Sequence, residues 1–497
     1  MPKLLNLRAQ TPNTMRIFLL FVVSFIILAC NSQPQKQTKT DDASTSTEAV
    51  ELESPEINIQ LEGMEAGLAY LIGTFSDQQY RIDSATIDAS GRMLFKREEP
   101  YPAGLYYAYF PDQTAIQLMT DVDQTFSIKT KKGNLIEAAV VTGSLDNELL
   151  YHNLKFESSF QPRVNGVNQR MQALPPTDPA YLALKAEQEQ LIAERKAHLK
   201  DIFDKNPDAF FTQYKRSGQN PDLVDVRLAD GSVDIQKQVY FYRTQFWDNV
   251  DFNDQRLLHT PIIVNKLRRY MTELTAQNPD SVIKSASFLI DKVLDKKAYY
   301  KFFVNWIGVK YEPTKTSLMD GEAIYVYMVQ NYITPERAFW ASEAEVRSLQ
   351  GRAKEMAGSL IGHKGLEVQA EDPSGKIRST TEITTPYLVI FIFNPTCDHC
   401  IEETPHLVKF YKERKAKDVG IFTIALETEN EEWTNFIDNY GLNDFINVFD
   451  PTYGAIYAKY YVDNTPEIYV LNPDRTIIGK NLKPEQIAEI IDRDKNK

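Results

Sequence analysis

The stretch LVIFIFNPTCDHCIEETPHLVKFY, residues 388–411, decides the fold of the C-terminal part of this chain. Its first six residues form a β-branched and aromatic run, which predicts a buried strand. Beyond the cysteines, residues 402–415 place apolar side chains among charged ones, which predicts an amphipathic helix. Cys397 and Cys400 therefore stand between a strand and a helix, close enough on one turn to cycle between dithiol and disulfide.

The position of this pair predicts that its first thiol is the more reactive one. The dipole and the free N–H groups of a helix N-terminus stabilise a thiolate, so we expect a lowered pKa for Cys397. His399 can add to this effect when protonated, whereas Asp398 opposes it with a like charge. With only three cysteines in 497 residues, the chain is not a disulfide scaffold. A structural zinc site would lack its third and fourth ligands, so we favour redox chemistry and expect no metal.

The third cysteine, Cys30, follows an apolar run at residues 17–29. This run is shorter than the ~20 residues that a membrane-spanning helix needs. Arg16, the apolar run and Ala29 directly before the cysteine resemble the signal of bacterial lipoproteins. The resemblance implies that residues 1–29 are a signal peptide, that Cys30 carries lipid, and that the chain is exported to the periplasmic side of the cell envelope. An uncleaved N-terminal anchor helix stays open as the alternative.

Composition is typical of a soluble exported body with several domains. The net charge of -13 argues against nucleic acid as a partner, because such binding requires clustered Lys and Arg. Hydrophobic residues make up 43% of the chain, which is enough for sizeable cores. The length of the chain predicts two to four domains.

Patterning divides the rest of the chain into four predicted segments. Residues 30–54 are polar and predict a disordered tether. Residues 55–147 alternate apolar and polar positions between turn signals, which predicts a small β domain, a sandwich or a barrel, and we expect a β-sandwich. Residues 148–357 change to a helical period, with helices predicted around residues 184–203, 262–274, 281–294, 322–333 and 335–349. Residues 358–497 alternate strands and helices around the cysteine pair, which predicts an α/β domain.

Several motifs of the last segment occur in an order that one family shares. The CxxC pair is followed by Pro405 in the predicted helix, by Thr465-Pro466 before an apolar strand, and by an Asn-Pro-Asp hairpin at residues 472–474. Residues 358–497 thus resemble the thioredoxin-like module of exported, membrane-anchored thiol–disulfide oxidoreductases of the ResA and TlpA kind. The domain order is also similar to that of many exported proteins of Gram-negative bacteria, in which a β domain and a helical domain precede such a module. This similarity rests on domain order and patterning alone.

The resemblance implies a thioredoxin-like fold and disulfide exchange with client proteins, as their reductant and without a cofactor. A membrane electron donor would be a further partner. In that family the proline at the place of Pro466 is cis and presents backbone to a bound peptide opposite the cysteine pair. We therefore expect the client to be bound by Thr465, Pro466, Asp398 and His399.

Glu403 matches the last position of the CxxCxxE pattern in ResA-like proteins, which implies that it handles the proton of Cys400. The alternative is a solvated helix residue beside Glu402. The chain departs from common thioredoxins at Phe391, where they carry a buried Asp, and at Pro395-Thr396, where they place a Trp before the first cysteine.

Other classes fit the sequence less well. A peroxiredoxin needs a Thr three residues before its cysteine, and a copper-delivery protein of the Sco kind needs CxxxC and a later His. The peroxiredoxin pattern is absent because Thr396 lies directly before Cys397 and four residues before Cys400. The Sco pattern is absent because the cysteines are spaced CxxC and no histidine follows His406. The competing interpretation is a lipid-anchored ligand- or protein-binding protein in which the thioredoxin module is a scaffold.

Overall fold

The computed structural model contains three successive regions along the chain: a β-sandwich, a helical region and an α/β domain. This organisation confirms the predicted fold class. The predicted signal peptide, the predicted lipidation site Cys30 and nearly all of the predicted tether lie outside the described residues. The structure describes residues 54–414, 418–451, 457–462 and 464–496.

Two four-stranded sheets form the β-sandwich. Its strands are β1 (Glu56–Glu62), β2 (Gly67–Phe75), β3 (Gln78–Ile87), β4 (Arg92–Lys96), β5 (Gly104–Tyr109), β6 (Ala115–Thr120), β7 (Thr125–Lys131) and β8 (Val140–Thr142). One sheet has the order β4-β1-β7-β8 and the other β3-β2-β5-β6. Ile57, Ile59 and Leu61 of β1 are buried while the positions between them are more exposed, which confirms the predicted period of two.

Nine α-helices follow in the described part of the helical region. They are α1 (Leu145–Gln172), α2 (Pro179–Lys205), α3 (Phe210–Ser217), α4 (Ile235–Gln245), α5 (Pro261–Thr272), α6 (Pro279–Asp291), α7 (Lys297–Lys310), α8 (Gly321–Tyr332) and α9 (Glu343–Ala357). The helix predicted at residues 335–349 was placed too early in the sequence. Ser342 and Glu345 form a capping box there, so the helix begins at Glu343 and runs to Ala357. None of the helices in the described ranges is long and apolar enough to cross a membrane.

The β-sandwich and the helical region share one hydrophobic core. A single cluster of buried side chains runs from Ile57 in β1 to Met356 in α9. At the boundary, the side-chain amide of Asn147 in α1 accepts from the backbone N–H of Met119 at 2.8 Å and donates to its carbonyl at 2.7 Å. The change of sequence period near residue 147 is therefore not a break in the core.

The α/β domain is built on one seven-stranded sheet. Its strands are β9 (Gln369–Glu371), β10 (Ile377–Ser379), β11 (Tyr387–Phe393), β12 (Val419–Ala425), β13 (Ile446–Phe449), β14 (Glu467–Leu471) and β15 (Ile477–Gly479). Their order is β10-β9-β13-β12-β11-β14-β15, with β11, β12 and β13 parallel and β14 antiparallel to β11. All seven residues of β11 are buried, as its unbroken apolar run predicts.

Helices cover both faces of this sheet. They are α10 (Asp398–Arg414), α11 (Asn430–Tyr440), α12 (Tyr457–Tyr460) and α13 (Pro484–Lys495). On one face Phe391 and Phe393 of β11 share a core with residues of α10, α11 and α13. On the other face Ile390 and Ile392 pack in a second core that includes Tyr460 of α12. This arrangement fixes the start of α10 directly beyond the end of β11.

Candidate active site

The two cysteines lie at the junction of β11 and α10. The helix begins at Asp398 rather than at residue 402, so the pair occupies its cap and first turn. The carbonyl of Cys397 accepts the first helical hydrogen bond from Ile401 at 3.0 Å, which makes Cys397 the N-cap residue. Cys397 is partly buried and Cys400 fully buried, and both are free thiols. Only the first thiol is therefore accessible to a partner.

Asn394, which the sequence analysis did not single out, shapes the turn before the pair. Its side-chain oxygen accepts from the backbone N–H and from the hydroxyl of Thr396, each at 2.8 Å. The backbone N–H of Asn394 donates to the sulfur of Cys400 at 3.4 Å. The Asn-Pro dipeptide was the available signal, because asparagine before proline favours turns held by its own side chain.

The pKa of the Cys397 thiol is lowered from its ordinary value. Partial burial acts the other way, but hydrogen bonds to the sulfur outweigh it. They come from the backbone N–H and the thiol of Cys400, the side chain of Thr465 and the backbone N–H of His399. Two of these donors are first-turn amides of α10, as expected for a thiolate at a helix start. His399 contributes its backbone N–H, and its ring is exposed.

The pKa of the Cys400 thiol is raised to about 12. Burial is the main cause; the backbone N–H of Asn394 opposes it, and the neighbouring Cys397 adds a smaller upward contribution. At neutral pH Cys400 is therefore protonated, and Cys397 is the member of the pair that ionises more readily.

Thr465 and Pro466 lie opposite the pair, directly before β14. The peptide bond between them is cis, as the resemblance implied. The thiol of Cys397 donates to the carbonyl oxygen of Thr465 at 3.3 Å. Because β14 is hydrogen-bonded to β11, the sheet itself brings this loop against the cysteines, although the two segments are far apart in sequence.

The other predicted site residues lie at different depths. Asp398 and His399 are exposed, and Nδ1 of His399 is 4.0 Å from a carboxylate oxygen of Glu402. Glu403 is much less accessible, with 17% of its side chain exposed against 74% for Glu402, and it lies 3.7 Å from Nζ of Lys483. Its environment differs from that of an ordinary solvated helix residue.

A cleft of about 630 Å³ borders the site. His399, Glu403, Thr465 and Pro466 line it, whereas Asp398 does not. A further part of its lining comes from the helical region, between Pro313 and Glu322, which the sequence analysis did not connect with the site. Within the described ranges, no three side chains of His, Cys, Asp or Glu are grouped to hold a metal ion.

Three family matches cover separate parts of the chain. Residues 386–477 match the thioredoxin-like family. Residues 56–150 and 232–348 match two domains of unknown function, DUF4369 and DUF5106. No curated protein matches the chain.

Solved structures are also similar to parts of the chain. A thioredoxin-like protein from Bacteroides caccae is 21% identical, and the match covers 55% of this chain and 98% of that one, with a TM-score of 0.42. The thioredoxin domain of a thiol-disulfide oxidoreductase from Bacteroides vulgatus is 20% identical, with coverages of 27% and 96% and a TM-score of 0.25. A thiol:disulfide interchange protein from Bacteroides sp. is 20% identical, with coverages of 28% and 93% and a TM-score of 0.26. At these TM-scores the similarities carry no argument about function.

The family match and the site geometry together define the class. The C-terminal domain is a thioredoxin-like domain, and its cysteine pair supports a redox enzyme, a thiol–disulfide oxidoreductase.

Proposed function

We propose that this protein is an exported, membrane-anchored thiol–disulfide oxidoreductase that reduces disulfides of client proteins through Cys397 and Cys400. The observation that carries the proposal is the asymmetry of the pair. One thiol is accessible with a lowered pKa, and the other is buried with a raised pKa, at the same helix start. That asymmetry separates an attacking thiol from a resolving one.

The exchange proceeds in two steps. The thiolate of Cys397 attacks one sulfur of the client disulfide, the client S–S bond breaks, and the other client sulfur leaves as a thiolate that takes up a proton. Cys400 then loses its proton and attacks the sulfur of Cys397, which releases the second client thiol. The client gains two electrons, and the pair becomes a disulfide that an external dithiol donor must reduce again.

Glu403 is our candidate for the acceptor of the Cys400 proton. It lies one helical turn beyond Cys400 and is largely buried, and Lys483 stands near its carboxylate. A base at this place assists the second step, because a thiol whose pKa is raised to about 12 attacks only after losing its proton. Thr465 and Pro466, and on the outer side Asp398 and His399, would contact the client.

The direction of electron flow and the location are further parts of the proposal. Reduction of clients is favoured by the resemblance to anchored oxidoreductases, and a measured reduction potential of the pair decides it. Export and a lipid at Cys30 are supported by the apolar run that ends at Ala29. Mass spectrometry of the mature protein should find an acylated N-terminal Cys30, and an unprocessed N-terminus would contradict this part alone.

The activity itself is tested by reduction of insulin disulfides with a dithiol as electron source. The wild-type protein should accelerate precipitation of the reduced insulin chains, and Cys397→Ser should abolish the acceleration. A wild-type protein no faster than Cys397→Ser would reject the oxidoreductase and favour the binding protein with a scaffold domain.

A further inference from the structure

We infer that the helical region forms one wall of the client-binding cleft and selects clients that present their disulfide on an extended polypeptide segment. This inference rests on the proposed function and adds a specificity determinant outside the thioredoxin-like domain. It concerns residues 313–318, between α7 and α8, which we call the helical wall.

The helical wall faces the predicted client-binding residues across the cleft. Thr314 and Ser317 are exposed residues of the wall that line the cleft, while His399, Thr465 and Pro466 line it from the thioredoxin-like domain. The thiol of Cys397 lies 3.3 Å from the carbonyl oxygen of Thr465. A client sulfur that reaches Cys397 therefore arrives next to this cleft.

The residues directly after the wall attach it to the thioredoxin-like domain. Met319 packs against the core that contains Phe391 and Cys400. Asp320 accepts a hydrogen bond from the backbone N–H of Ile361 at 2.9 Å. Its backbone has a φ of 59°, a left-handed conformation that the surrounding contacts hold in place.

A buried ion cluster adds a second attachment. Nζ of Lys480 lies 3.9 Å from a carboxylate oxygen of Asp320 and 3.4 Å from one of Glu322, and 1% of the Lys480 side chain is exposed. Asn481 donates to both carboxylate oxygens of Glu322, at 3.0 and 3.2 Å. Because these groups are removed from water, separating them is costly, and the contacts therefore link the end of the wall to the thioredoxin-like domain.

The lining of the cleft indicates the kind of occupant. Hydroxyl and amide side chains from both walls offer hydrogen bonds, among them Thr314, Ser317, Asn464 and Gln486. An extended peptide carries one donor and one acceptor per residue and binds such surfaces through its backbone. A volume of about 630 Å³ lies in the range of ligand clefts and is large enough for a short peptide segment.

The test narrows the cleft from the helical side. Ser317→Trp and Thr314→Trp place a large ring in the cleft at exposed positions, and Lys315→Trp is the matched control on the same wall, since Lys315 does not line the cleft. Each variant is assayed with a substrate of two short unstructured peptides joined by one disulfide, and with the small reagent dithiobis-nitrobenzoate. We expect both cleft variants to lose about tenfold or more in kcat/KM for the peptide disulfide. The rate with the small reagent and the pH profile of Cys397 alkylation should stay unchanged, and Lys315→Trp should match the wild type throughout.

Two results would overturn the inference. Unchanged peptide kinetics in both cleft variants would show that clients do not use this wall. Equal losses with the peptide and the small reagent would show a general disturbance of the active site. A wild-type protein that reduces neither substrate would instead reject the proposed function, so the two failures are distinguishable.

Discussion

Cys397 and Cys400 are the same residue type on one turn of helix, yet their pKa values move in opposite directions. Cys397 stands at the N-cap, where amides of the first turn donate to its sulfur and lower its pKa. Cys400 faces inward between β11 and α10, where burial raises its pKa to about 12. Position on the helix, not residue identity, therefore assigns the roles.

The first prediction concerns the titration of these two thiols. The alkylation rate follows the thiolate fraction, so a lowered pKa moves the midpoint for Cys397 below the ~8.5 of a free thiol. Cys400 should stay unreacted across the same pH range, because it is buried and protonated. The measurement is the rate of iodoacetamide labelling against pH, with the labelled residue located by mass spectrometry and with Cys397→Ser as control. Equal titration of both thiols would contradict the assignment.

A second prediction concerns Glu403. If its carboxylate accepts the Cys400 proton, Glu403→Gln should slow the release of the mixed disulfide by about 10²-fold or more. The alkylation profile of Cys397 should not change. Single-turnover kinetics separate the two steps, and Glu402→Gln is the matched control, since Glu402 is its exposed neighbour. Equal rates of mixed-disulfide release in the two variants would mean that Glu403 does not accept the Cys400 proton.

At the scale of elements, local pattern predicted most of the α/β domain. The apolar run of β11, the cysteine spacing and the Thr465-Pro466 pair all have local sequence signals, and the structure has the strand and the cis bond where they were expected. The start of α10 was placed too late because the cysteine turn itself carries no apolar periodicity. The turn formed by Asn394 was not predicted, although the Asn394-Pro395 dipeptide is a sequence signal for a turn.

A third prediction tests the packing of β11. Phe391 is fully buried and stacks on Phe393 with ring centroids 5.3 Å apart. Phe391→Ala should destabilise the domain by about 3–5 kcal/mol, because it leaves a cavity in a packed core. Hydrogen exchange of the β11 and β12 amides reports the stability of this domain separately from the rest of the chain. Leu182→Ala, at a position that is 58% exposed in α2, should change stability by less than about 0.5 kcal/mol. Similar exchange in both variants would contradict the described packing.

At the scale of the whole molecule, contacts between segments that are distant in sequence could not be predicted from the sequence. Glu322 and Asn481 are 159 positions apart, and neither belongs to a recognisable motif. Their pairing arises only once the helical region packs on the thioredoxin-like domain. For the same physical reason the shared core of the β-sandwich and the helices could not be read from a change of period near residue 147.

A fourth prediction follows from the buried cluster between these regions. Lys480→Met removes the cation that faces Asp320 and Glu322 and leaves two buried carboxylates without it. Breaking a buried ion pair by removing one partner costs about 3–5 kcal/mol, so denaturant unfolding should show a loss of that size. Lys412→Met on the exposed side of α10 is the control and should have little effect. An unchanged stability of Lys480→Met would contradict the cluster as an attachment between the regions.

The most direct test of the central claim is capture of the mixed disulfide. With Cys400→Ala the second exchange step cannot occur. Incubation with two peptides joined by one disulfide should therefore leave one of the two peptides covalently attached to the protein. Mass spectrometry without reductant should locate the adduct on Cys397, and the double variant Cys397→Ser, Cys400→Ala should form none. Absence of any reducible adduct in Cys400→Ala would contradict the assignment of Cys397 as the attacking thiol and, with it, the proposed activity.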